Sequence, residues 1–136
     1  MEPNRDMQNK IIEIRMLEEQ IGQMEEQMRI VDREILEIQS LILSLDEIKG
    51  TKNKEVIVPL GKDIFVKSLI AKDNEFLVNI GSKTIVKKNA EETKKLLEEK
   101  KEKFLEAREK IGMDANSIIR KIGEIDEELM EMQKSI

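Results

Sequence analysis

Apolar residues along positions 4–48 recur at alternating spacings of three and four without a slip. With Met7 as position a, the a series runs Met7, Ile14, Ile21, Met28, Ile35 and Ile42. The d series, after Lys10, runs Leu17, Met24, Val31, Ile38 and Leu45. An unbroken heptad stripe predicts a coiled-coil helix, roughly 65–70 Å long at 1.5 Å per residue. Gly22 weakens it internally, and Gly50 stands just past its end, where a C-cap belongs.

Positions 90–136 repeat the pattern. Leu97, Phe104, Ile111, Ile118, Ile125 and Met132 form one complete series, and the companion series opens with Lys94, Lys101 and Arg108 before Ala115, Ile122, Leu129 and Ile136. The three cations are read as aliphatic stems lying over the seam with their head groups outside. Asn89, followed three residues later by Glu92, predicts the N-terminal cap of this helix. Two helices of nearly equal length joined by a connector of about 40 residues predict an antiparallel hairpin. Pairing Ile48 with Ala90 at the closed end sets Met7 opposite Glu131 and Ile14 opposite Glu124, with both chain ends at the open tip.

Between the helices the period changes to that of strands. Val56-Ile57-Val58-Pro59-Leu60, Ile64-Phe65-Val66, Phe76-Leu77-Val78-Asn79-Ile80 and Ile85-Val86 are β-branched or aromatic runs, separated by Gly61-Lys62-Asp63, Lys72-Asp73-Asn74 and Gly81-Ser82-Lys83. They contain an internal repeat offset by 20 residues: Val58-Pro59-Leu60-Gly61 matches Val78-Asn79-Ile80-Gly81, and Phe65-Val66-Lys67 matches Ile85-Val86-Lys87. Two similar β-hairpins are expected, with Pro59 at an edge or beside a bulge because it cannot donate a ladder bond. The expected organisation is a first coiled-coil helix over 1–50, two hairpins over 51–88 and a second coiled-coil helix over 89–136, in a single domain of the α+β class.

About 34 residues of sheet cannot enclose a core, and isolated hairpins are marginal in water. The helices turn their apolar stripes on each other, so the strands are expected to be completed by other copies or by homologous chains, in an oligomeric β-barrel body from which the helical hairpins project. A small intramolecular sandwich is the alternative. The residues expected at the oligomer contact are Val56, Val58, Leu60, Ile64, Phe65, Val66, Phe76, Val78, Ile80, Ile85 and Val86.

Two long heptad helices flanking paired hairpins, with Val56-Ile57-Val58-Pro59-Leu60-Gly61 in the first and Val78-Asn79-Ile80-Gly81 in the second, resemble a prefoldin subunit of the alpha class over essentially the whole chain. Two hairpins, where beta-class members carry one, favour alpha. The resemblance implies an archaeal-type, jellyfish-shaped chaperone complex in which β-barrels form the body and coiled-coil tentacles hold unfolded proteins at their tips without ATP. The implied partners are unfolded clients together with beta-class prefoldin subunits. Self-assembly of an alpha-like chain into filaments through the β body is the alternative.

Methionine usage bears on the same tip. Flexible Met suits repacking against many partners. Met7, Met16, Met24, Met28, Met113, Met130 and Met132 all fall in the outer half of the predicted hairpin. Met24 and Met28 are explained by seam packing, whereas Ile11, Ile12, Met16 and Met130 lie off the seam and stay available. The expected client-binding set is Met7, Ile11, Ile12, Ile14, Met16, Leu129, Met130, Met132 and Ile136. Off-seam Leu36, Leu41 and Leu43, at the body end, are expected to cover the sheet or a neighbouring subunit.

Composition then removes other chemistry. The 136 residues include no His, Cys, Trp or Tyr, which excludes the usual His- or Cys-dependent nucleophiles, thiol redox centres and zinc sites. Gly81-Ser82-Lys83-Thr84 lacks the two glycines of a nucleotide-binding loop. No enzyme activity, metal or cofactor is expected. Residues 1–50 carry 6 basic and 12 acidic groups, residues 51–88 carry 8 and 4, and residues 89–136 carry 10 and 13, giving nets of −6, +4 and −3. An acidic chain whose basic middle lacks aromatic interleaving is not expected to bind nucleic acid. With no apolar leader and no run of about 18 apolar residues, a cytoplasmic protein without a membrane partner is expected.

Overall fold

The computed structural model describes residues Glu2–Lys134. Helix α1 spans Glu2–Ile48 and helix α2 spans Ala90–Lys134; between them lie β1 (Glu55–Gly61), β2 (Ile64–Leu69), β3 (Phe76–Asn79) and β4 (Ile85–Lys88). The strands form two separate antiparallel ladders, β1 with β2 and β3 with β4. No helix among the described residues is long and apolar enough to cross a membrane. The chain divides into two compact units, one joining α1 up to Glu34 with α2 from Lys103 onward, the other covering Ile35–Glu102.

In both units the heptad stripes lie at the helix contact. Every predicted a and d residue of α1 is buried or half-buried, from Met7 to Leu45, and so are all members of the Leu97 series. The largest contributions come from residues such as Leu45, only 4% exposed, whose burial supplies about 1.5–3 kcal/mol. Cross-helix ion pairs set the register. Lys10 bonds Glu128 in the first unit, matching the alignment of Ile48 with Ala90. Arg108 Nε lies 2.8 Å from Asp32 Oδ1, and in the second unit Lys94 Nζ lies 3.2 Å from both carboxylate oxygens of Asp46. These two pairs reach two residues further along α2 than that alignment, as long cationic stems allow.

The helix ends in the second unit are tied through one loop. Gly50 takes φ +76° beyond α1, the left-handed conformation of a C-cap, and its N–H donates to Asp73 Oδ2 at 2.8 Å. The neighbouring Asn74 Oδ1 accepts the N–H of buried Ala90 at 3.0 Å. At the start of α2, Asn89 Oδ1 accepts the Glu92 N–H at 2.8 Å while Glu92 Oε1 accepts the Asn89 N–H at 3.1 Å, the reciprocal capping box expected from the sequence.

The two hairpins copy one another in backbone as well as in sequence. Gly61 and Gly81 both take φ +120°; Lys62 and Ser82 follow at +52° and +48°, and Asp63 and Lys83 at +63° each. Positive φ at both central residues is the type I′ turn, whose twist matches the flanking strands. The Gly81–Thr84 segment that superficially resembles a phosphate loop is this turn, closed by the Thr84 N–H on Gly81 O at 2.8 Å. The register shift between Pro59 and Gly61 places a bulge beside Pro59, as its missing N–H requires.

Candidate functional site

Identical turns carry hairpins with different surroundings. In β3–β4, pairing Val78 with Val86 and Phe76 with Lys88 defines one face, and all four residues are half-buried. Strand β3 borders an open groove of about 330 Å³ lined by Phe76, Leu77, Val78 and Asn79 together with Leu41, Leu45, Thr93, Leu96, Leu97 and Lys100 of the helices. The opposite face, Leu77, Asn79, Ile85 and Lys87, is exposed. The helices therefore partly cover one sheet face within the chain, contrary to the expectation that their stripes are fully used on each other. Off-seam Leu41 and Leu96 supply the additional apolar surface.

The β1–β2 hairpin has no such cover. Val58 pairs with Val66 on one face, and Pro59 with Phe65 and Ile57 with Lys67 on the other. Val56 alone in these two strands is half-buried; Ile57, Val58, Leu60, Ile64, Phe65, Val66 and Leu69 are all exposed. Both faces of one ribbon thus present aliphatic and aromatic side chains to solvent, an arrangement that associates or aggregates when left uncovered. Of the eleven residues expected at an oligomer contact, Val56, Phe76, Val78 and Val86 are half-buried and Val58, Leu60, Ile64, Phe65, Val66, Ile80 and Ile85 are open.

The unit formed by α1 up to Glu34 and α2 from Lys103 holds the expected client-binding residues. Ile11, Ile12, Met16 and Met130 are exposed, Met16 and Met130 by 58% and 56%. Met7, Ile14 and Met132 are half-buried in the seam and Leu129 is buried there. Ile136 lies outside the described residues. Further open residues in the same unit lie outside the expected client-binding set: Ile30, Leu105 and Ile119, together with Met113 of the outer-half methionines. Their signal was present, since each sits off the a and d series. In the other unit Leu36 and Leu43 stay exposed, at 65% and 66%, so Leu41 alone of that trio approaches the sheet.

The charged seam positions do more than snorkel. The register sets Lys94, Lys101 and Arg108 level with buried Leu45, Ile38 and Val31. Asp46 and Asp32 receive the head groups of Lys94 and Arg108, but the equivalent α1 position is Gln39, and Lys101 turns back to Glu98 on its own helix, 3.9 Å away. Lys10 is held protonated beyond its ordinary range, first by its hydrogen bond to Glu128 and then by that carboxylate's charge. Glu75 is held below the usual carboxylate range by a hydrogen bond from Lys72, reinforced by the charges of Lys72 and Lys87.

Comparison with known proteins agrees with this architecture. A family model described as prefoldin subunit matches residues 17–135. A prefoldin subunit alpha of Thermofilum pendens is 30% identical over 105 residues, covering 76% of this chain and 81% of the relative. A prefoldin subunit alpha of Pyrococcus horikoshii is 23% identical over 96% of this chain and 90% of its own length. Among solved structures, a filamentous prefoldin from Methanocaldococcus jannaschii superposes with a TM-score of 0.63 at 23% identity, covering 92% of this chain and 98% of that one. With the matched sequence running from the first buried leucine of α1 to the end of α2, the chain belongs to the prefoldin subunit family, and the relatives it matches here are alpha subunits.

Proposed function

We propose that this chain is an ATP-independent holdase subunit that captures non-native proteins on the open end of its helical hairpin and assembles with other subunits through its β-hairpins. The observation that carries the reading is the contrast between the two ribbons: β3–β4 rests one face on helices, while β1–β2 leaves both apolar faces uncovered. An exposed ribbon of that composition requires other chains. Family membership supplies the chaperone role, and Ile11, Ile12, Met16 and Met130 supply adaptable apolar contacts away from the seam. In this reading the β body is an oligomeric barrel, the protein works in the cytoplasm, and the partners are unfolded clients and beta-class subunits.

The test is suppression of aggregation. The assembled protein, without nucleotide, keeps a thermally unfolding reporter protein in solution, and joint replacement of Ile11, Ile12, Met16 and Met130 by Ser leaves assembly intact but removes protection. Unchanged protection by that variant would overturn the tip assignment.

A second reading is a self-assembling filament scaffold, favoured by the fold shared with a filamentous archaeal prefoldin. Electron microscopy of the purified chain separates the two. Long polymers from the chain alone support the scaffold, and a discrete complex formed only with a beta-class subunit supports the first reading.

A further inference from the structure

Open aliphatic residues on α2 form a row that the tip assignment does not use. Counting Lys94 as position a, Leu105, Gly112 and Ile119 occupy successive e positions at seven-residue spacing. The e positions of α1 are Ile11, Glu18, Glu25 and Asp32. In an antiparallel pair the two e rows share one edge of the seam, and the Arg108–Asp32 contact identifies that edge in the unit to which all these residues belong. Leu105 is 36% exposed and Ile119 55%. Between them, a Cβ on Gly112 would meet no atom within 4 Å. The missing side chain of Gly112 therefore leaves a notch in the row between two larger aliphatic residues.

Carboxylates dominate this edge. Glu18 and Glu25 on α1 and Asp126 on α2 hold e positions, Glu109 stands beside them at b, and among the described residues none of the four has an ion-pair partner. The cations beside it are Arg15 and Arg29 on α1 and Arg108 on α2; Arg29 is engaged by Glu26 at 2.6 Å and Arg108 by Asp32 at 2.8 Å. Leu105 and Ile119 lie four helical turns apart, about 21 Å along the axis.

We propose that this edge is a docking groove for a basic amphipathic helical segment of a non-native chain. Aliphatic side chains of the segment fill the notch over Gly112 between Leu105 and Ile119, while Lys or Arg along its border face Glu18 and Glu25. The proposal rests on the holdase reading and specifies the client class that this surface prefers. A second copy is disfavoured as the occupant, because the segments that supply the edge carry net charges of −6 and −3 and would repel their own kind.

The test titrates two synthetic peptides into the full-length assembled protein. Both are helical, share one Leu/Ile face and differ in carrying Lys or Glu at its borders. The Lys peptide binds about tenfold tighter at low salt, and the preference collapses near 0.5 M salt. Gly112→Leu, whose Cβ enters open space, fills the notch and weakens the Lys peptide about tenfold, with helicity followed by circular dichroism. Joint Glu18→Gln and Glu25→Gln substitution reduces the preference to about twofold while the Glu peptide gains affinity.

Equal affinity for both peptides, or unchanged binding by Gly112→Leu, overturns the groove. Dispersal of the assembly by Gly112→Leu also overturns it, in favour of a contact between copies. A protein that suppresses aggregation yet shows no peptide preference retains the holdase reading and loses the groove. One that prefers the Lys peptide but protects no reporter retains the groove as a docking surface and loses the holdase reading.

Discussion

Arg108 Nε forms an ion pair with Asp32 Oδ1 across the two helices at 2.8 Å, and fourteen residues away on each helix Lys94 repeats the arrangement with Asp46. Midway between the two acids stands Gln39, and Lys101 is left to Glu98 on its own helix. Exposed pairs of this kind are worth about 0.2–1 kcal/mol, less than the burial of a single seam leucine. Their distinct contribution is alignment, because each cation finds its acid in one register only.

Gln39→Glu is therefore expected to recruit Lys101 across the seam. Thermal unfolding at low ionic strength shows a gain of about 0.3–1 kcal/mol, which disappears in about 1 M salt. A gain that persists in salt contradicts an electrostatic origin.

Asn74→Ala removes the acceptor for the N–H of buried Ala90. A loss of about 1–2 kcal/mol in denaturant unfolding follows, together with faster amide exchange at Ala90. Asp73→Ala costs less, because the Gly50 N–H that it satisfies is exposed and water can replace it.

The turns offer a stabilising change. Lys62 and Asp63 occupy left-handed backbone better suited to Asn-Gly, so Lys62→Asn with Asp63→Gly raises stability by about 0.5–1 kcal/mol. Gly61→Val, at φ +120°, destabilises by more than this although the space around it is open. Comparing the two variants by chemical denaturation separates backbone strain from side-chain crowding.

Raised acidity of Glu75, held by Lys72 and Lys87, links the loop before β3 to pH. Its folded carboxyl titrates below the unfolded one, so its contribution is present above the ordinary Glu range and is lost as pH falls through the lower folded value. Glu75→Gln abolishes that part of the pH dependence between neutral and acid conditions, as read by melting temperatures of the two proteins side by side.

Val66→Lys places a charge beside Val58 on an uncovered face of β1–β2. Dissociation of the assembly in sedimentation, with helical circular dichroism retained, is the expected result. An intact assembly would remove this ribbon from the contact.

The seam was readable because each of its positions depends on local spacing: the heptad count from Met7 predicts burial at Leu17, Val31, Ile35, Ile38 and Leu45, and all five are buried. The hairpins were readable for the same reason, through a 20-residue repeat whose turns agree within a few degrees. What the repeat conceals is the unequal cover of its two copies. That inequality depends on Leu41 and Leu96, residues distant in sequence whose contribution appears only once the helices stand beside β3. The roles of Asp73 and Asn74 were hidden likewise, since nothing adjacent in sequence says that a turn residue will cap helices on either side of it. The open aliphatic row through Ile119 was visible as off-seam residues, but its acidic border emerges only from aligning the e rows of both helices.

The matched cation and acid spacing on α1 and α2 also restrains how such a chain can change over generations. Losing or gaining a few residues in one helix alone would shift every rung beyond that point and put lysine beside isoleucine without its aspartate. Length should drift only through paired, heptad-sized indels on both arms, so the reach of the two arms is inherited as a single trait.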